Sequence, residues 1–203
     1  DLHLSLRRQR QMCIRDRDYN INKWISLGVN SSYALTKSDR EDGSFSEFIT
    51  RTPIAQIYNE DGSYSRYINS NNDVNPFYRA ENYKREISTN SYRLNVFLEL
   101  KPFKGFNYRL NTSLYNREQE DGEAKGVNYP GGGATAKLTD REDRSYLIEN
   151  IFTYNVPIKD QKHKLTITAV QSVDHKQTKQ LGYATDQLPV DMDWNFIANG
   201  QFT

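Results

Sequence analysis

Between Tyr92 and Tyr115 the chain alternates apolar and polar residues through two runs joined by the tight turn Pro102-Phe103-Lys104-Gly105. A period of two is the signature of a β-strand with unlike faces. Tyr92, Leu94, Val96, Leu98 and Leu100 share one face, and Phe106, Tyr108, Leu110, Thr112 and Leu114 resume it after the turn. Each run is about ten residues, the 9–11 that a tilted strand needs to cross a bilayer and more than the 5–6 of an ordinary soluble strand. The hairpin reads first as a piece of a membrane barrel.

The first seventeen residues need a separate explanation. The string from Arg7 to Asp16, RRQRQMCIRD, is the in-frame translation of CGTCGGCAGCGTCAGATGTGTATAAGAGAC, a transposase-type sequencing adapter whose last bases, AG, open the codon of Arg17. Asp1-Leu2-His3 translates GATCTACAC, the end of the matching flow-cell primer, in the same frame. A disordered basic tail does not predict that agreement. Residues 1–17 are therefore expected to be non-native and are set aside before fold is considered. Removing five arginines (Arg7, Arg8, Arg10, Arg15, Arg17) and two aspartates (Asp1, Asp16) takes the basic and acidic totals from 27 and 26 to 22 and 24, so the net charge changes from +1 to −2. A slightly acidic remainder lacks the basic face that nucleic acid requires. Cys13, the only cysteine, is removed with them, so no disulfide is expected in the native part.

Three further strands meet the same test. Ile25, Leu27, Val29, Tyr33 and Leu35 alternate with polar or small residues, as do Tyr146, Ile148, Phe152, Tyr154 and Val156, although Asn150 and Ile151 break that pattern. Leu165, Ile167, Ala169 and Val173 complete a set of five strands. The links at 102–105 and 157–162 are short, whereas 37–91, 116–143 and the stretch beyond 174 are long and polar. Membrane barrels alternate short and long connections in this way. Trp24, Phe103, Phe106 and Tyr154 fall near the short-turn rim and Tyr92 and Tyr146 near the other, as aromatic girdles do. With 14 Tyr, 9 Phe and a mean hydropathy of −0.86, the chain has the balance of a barrel whose outward residues alone meet lipid.

Motifs that suggest chemistry have duller readings. Asp42-Gly43, Asp61-Gly62 and Asp121-Gly122 are turn signals, and 57–67 reads as a small hairpin around Asp61-Gly62. Asn59-Glu60-Asp61-Gly62 lacks the ligand spacing and closing Glu of a calcium loop. Gly131-Gly132-Gly133-Ala134-Thr135-Ala136-Lys137 has Ala136 where a phosphate-cradling loop needs its second Gly, so it reads as a loop tip. His163 and His175, with no cysteine nearby, make a poor zinc set. Ser172, Asp174 and His175 cannot form a hydrolytic triad within one strand, because alternation sends His175 to the opposite face. No catalytic, cofactor or metal residue is assigned, and no enzymatic activity is expected. The segment LPVDMDWNFIANGQ, 188–201, carries Trp194 and Phe196 in an expected outer loop, where aromatic plates beside polar groups suit sugar stacking.

The phrases LELKPFKGFNYRLNTSLYNRE (98–118), NKWISLGVNSSYALTKSDRE (22–41), RTPIAQIYNEDGSY (51–64) and KHKLTITAVQS (162–172) resemble the barrel of SusC/RagA-type TonB-linked outer-membrane proteins. The resemblance covers nearly all of 18–203 and implies an antiparallel transmembrane β-barrel fragment, without the N-terminal extension and plug that precede the barrel in that family. It also implies the outer membrane of a Gram-negative bacterium and import of glycans, oligosaccharides or peptides. The implied partners are outer-membrane lipid, a SusD-like surface lipoprotein lid and the TonB complex, the last through parts absent here. Two alternatives remain. A soluble β-sandwich carbohydrate-binding module would bury the same apolar faces between two sheets, and a ferric-siderophore receptor would share the barrel without the lid.

Overall fold

The computed structural model describes residues 8–40, 42, 56–69, 72–158, 163–186, 188, 193–199 and 201–202. They form strands β1 (Arg8–Asn20), β2 (Ile25–Arg40), β3 (Tyr83–Leu100), β4 (Phe106–Lys125), β5 (Thr135–Val156), β6 (Leu165–Asp186) and β7 (Gln201–Phe202). A single helical turn, α1 (Pro76–Glu81), precedes β3, and a 3-10 segment spans Trp194–Asn199. The seven strands pair in chain order, each antiparallel to the last, in one open sheet. Antiparallel neighbours joined in sequence are the simplest way to satisfy every interior backbone group.

The sheet is larger than the five expected strands. Residues 8–17, set aside as non-native, lie in β1 against β2, and the short β7 pairs with the end of β6. The other strands are also longer than predicted. β3 begins at Tyr83 rather than Tyr92, β4 ends at Lys125 rather than Tyr115, and β5 begins at Thr135. The connection expected over 116–143 shrinks to 126–134. In these extensions most residues on both faces are polar or small, so the hydrophobic alternation fades while the ladder continues. Asp121-Gly122, expected to turn, lies inside β4 opposite Thr139 and Leu138. Asn150 and Ile151 do not interrupt β5; they exchange apolar and polar sides within an unbroken strand.

The expected turn at 102–105 is present. Lys101 N donates to Trp24 O at 2.7 Å and Phe106 N to Phe103 O at 3.2 Å. Gly105 closes it at φ +88°, and a Cβ there would meet Asn155 O at 2.6 Å. Only glycine combines that φ with so close a neighbouring strand.

Among the described residues no second layer packs on the apolar face of the sheet, as a β-sandwich would require. The one cluster of buried apolar residues among those described is small and lies far from the alternating stripes: Ala124, Ala134, Ala136, Leu188 and Trp194.

Candidate membrane-facing surface and outer loops

Residues directly opposite one another in an antiparallel ladder project from the same side of the sheet. The register therefore assembles the alternating stripes into rows. One row is Val29–Val96–Thr112–Ile148–Val173, and another is Ile25–Leu100–Tyr108–Phe152–Ala169. Together they form a continuous apolar band on one face, and none of its members is buried: Val29 is 36 % accessible, Phe152 40 % and Val173 50 %, while Val96, Leu100 and Tyr108 are half-buried. On β5 the band runs from Tyr146 to Val156, ten residue rises or about 33 Å along the strand.

The band does not follow the rows. Its upper limit is Leu35 on β2 but Val173 on β6, three rows lower, and its lower limit moves from Ile25 to Leu165, two rows lower. A row step is about 6.7 Å along the strand and four strand spacings are about 19 Å, so the band crosses the strands with a slant of about 35–45°. That is the strand tilt of membrane barrels. At such a tilt the Tyr146–Val156 stretch stands about 25 Å high, the height of their outward apolar belt.

Aromatic rings mark both limits. At the short-turn end Phe103 stacks on Phe106 with centroids 5.0 Å apart and meets Tyr154 edge-on at 6.4 Å, with Trp24 exposed in the neighbouring turn. At the far limit Tyr33 lies opposite Tyr92, and Tyr146 stacks on His175 at 5.2 Å. Tyr92 and Tyr146 end the apolar band as expected, although the strands continue well past them. One row beyond Tyr92 the same face turns to Asn90, Glu118, Glu142 and Lys179.

The opposite face is polar at the level of the band. Asn95 Nδ2 donates to Asn30 Oδ1 at 3.1 Å and Ser113 Oγ to Asn95 Oδ1 at 2.7 Å. Arg109 lies 4.3 Å over the Phe97 ring and donates to Asn111 at 2.9 Å, while Glu99 accepts from Lys101 and Asn107. Such a face suits water or a polar partner and would be costly in hydrocarbon.

Beyond the band the extended strands are held by charge pairs. Arg85 makes a two-pronged bond to Asp121, at 2.8 and 2.7 Å. Asp143 accepts from Arg141 and Thr178, and the Arg141 guanidinium, then the Thr178 hydroxyl, holds its carboxyl below the usual range. The loop after β2 is organised by Asn75, fully buried, which caps α1 through Phe77 N and donates to Ile57 O and Ser65 O at 2.9 and 2.7 Å. Tyr58, Tyr64 and Phe77 stack in series at 5.2 and 5.4 Å. The expected hairpin at Asp61-Gly62 is present, with Gly62 at φ +84°. There Asp61 accepts from Ser63 N and Oγ, bonds that lower its pKa. Gly43 lies outside the described residues.

Trp194 and Phe196 have different surroundings. Trp194 is 5 % exposed, packed on Gly122 and beside Ala124 and Ala136, with Lys84 Nζ 5.0 Å over its ring. A Cβ on Gly122 would overlap that ring, which is why this strand position is glycine. Phe196 is 52 % exposed. Ser172 and Asp174 lie opposite Glu149 and Leu147 on the polar face, whereas His175 lies on the apolar face against Tyr146. Among the described residues no group of three or more His, Cys, Asp and Glu is arranged to hold a metal.

No protein-family model and no curated protein matches the sequence. Solved structures do match. The RagAB peptide transporter superposes with a TM-score of 0.60 at 14% identity, over 87% of this chain and 25% of that one. The RagAB peptide importer superposes in its open-open state at 0.62 and in its closed-closed state at 0.59, each at 14% identity over 88% of this chain and 25% of that one. The chain has the fold of a RagAB transporter segment. It spans about a quarter of the RagAB chains it matches, and at 14% identity the likeness is one of fold. An open sheet is what a quarter of such a chain would present.

Proposed function

We propose that this chain is part of the wall and outer loops of a SusC/RagA-type, TonB-linked importer in a Gram-negative outer membrane. The observation that carries the reading is the exposed apolar band: its height, slant and aromatic margins are those of a lipid-facing barrel surface. The apolar face meets acyl chains and the Asn30–Asn95–Ser113 face meets the interior. The long extensions of β3 to β6 lift the loop around α1 and the 3-10 segment clear of the bilayer, where they meet substrate and a SusD-like surface lipoprotein. Peptides are the substrate class favoured by the RagAB fold likeness; oligosaccharides are the other cargo the sequence resemblance implies. The chain's part is structural and recognitive rather than catalytic, and energy enters through TonB contacts elsewhere in the importer.

Cysteine labelling of the full-length importer in whole cells tests the reading. A cysteine at Tyr58 should react with a membrane-impermeant maleimide. One at Val96 should resist that reagent but be quenched by a lipid-borne nitroxide once labelled with a permeant probe. Equal aqueous labelling at both positions would remove the lipid-facing assignment.

A further inference from the structure

Along β1 the two faces change character at a single point. Tyr19 lies opposite Leu27 on the apolar face, and Asp18 and Asn20 lie opposite Gly28 and Ser26 on the polar face, as the sheet requires. One residue earlier the pattern inverts. Arg17 lies opposite Val29 and Arg15 opposite Ser31, so both guanidinium groups project from the face that carries the apolar band, while Ile14 and Met12 project from the polar face. Ile14 is 62 % exposed there. An arginine near the midplane of a lipid-facing belt is costly, and a strand that places two outward and two apolar residues inward disagrees with the faces of β2. A one-residue slip would correct those four and misplace Tyr19, Asp18 and Asn20 instead, together with Asp16, which accepts from Asn30 Nδ2 on the polar face. No single register suits both parts.

The inversion falls between Arg17 and Asp18, the boundary at which the adapter translation ends. We propose that the edge of β2 from Val29 to Leu35 is the docking edge for a native, lipid-facing strand of the parent polypeptide, and that residues 8–17 occupy its place. The partner is defined by chemistry: an antiparallel strand running into Asp18-Tyr19-Asn20 without a break, with apolar residues opposite Val29, Ser31 and Tyr33 and polar or small residues opposite Asn30 and Ser32. This rests on the lipid-facing reading of the band.

The test is to amplify the locus from source DNA with a primer inside the β3 codons and read upstream through the Asp18 codon. The expected result is a sequence that departs from this chain immediately before Asp18 and carries apolar residues two and four positions before Tyr19. A genomic Arg7–Asp16 string would overturn the proposal while leaving the importer reading, which stands on β2 to β6, intact. A departure before Asp18 followed by polar residues at both positions would overturn the proposal and the lipid-facing reading together.

Discussion

Gly122 and Trp194 act as one unit. A larger side chain at 122 must displace the indole, so Gly122→Val should destabilise the outer segment by about 1–3 kcal/mol, the usual range for overpacking. With this chain held in detergent and in a Trp24→Phe background, where Trp194 is its only indole, the emission should shift to the red and become accessible to acrylamide. Unchanged emission would mean that the ring does not sit on β4. Tyr129 offers a pH readout outside the band. Burial, then its hydrogen bond to Asp42, pushes its pKa up to about 12. The folded value lies above the ordinary one, so the contribution to stability is complete below about pH 10 and is lost as pH rises toward 12. Tyr129→Phe should remove a late phenolate step from the alkaline absorbance titration of the folded protein, and an unchanged titration would contradict the contact. Neither residue's role could be read from sequence, because Asp121-Gly122 looks like a turn until a ring from 72 positions away is placed over it.

For the strands, the decisive property is the side of the sheet. Val96→Arg places a charge mid-band and should cost about 2–4 kcal/mol in bilayer folding, measured by urea titration in vesicles. Thr153→Arg, on the polar face at similar depth, should cost under about 1 kcal/mol; equal costs would argue against unlike faces. The loop around α1 depends on Asn75, whose side chain serves three backbone groups. Asn75→Ala should cost about 1–2 kcal/mol or more as a lost cap and open residues 56–82 to limited proteolysis. A digestion pattern like that of the parent would refute that role. β2 to β6 are legible in the sequence because each has one apolar side within the band. The outer halves of β3 to β5, where Arg85 pairs with Asp121 and Arg141 with Asp143, are not, since a strand with mostly polar residues on both faces has no hydrophobic period.

At the scale of the molecule, among the described residues the open sheet leaves the outer edges of β1 and most of β6 unpaired and nothing covers the apolar band. Expressed alone without detergent, the chain should aggregate through those edges and that face; a monomeric sample that melts cooperatively would sink the membrane reading. Sequence by itself determined the strands of the band, the short turn at 102–105, the apolar side and the aromatic margins, because a period of two and a bilayer's thickness are local constraints on consecutive residues; the link expected at 157–162 lies mostly outside the described residues. Tertiary structure decided the rest. The slant of the band depends on register between strands, which no single strand encodes. The burial of Trp194 depends on β4 carrying Gly122 and Ala124 where the ring lies against it. The inverted half of β1 became visible only when β2 lay beside it, since a face is inward or outward only relative to a neighbour.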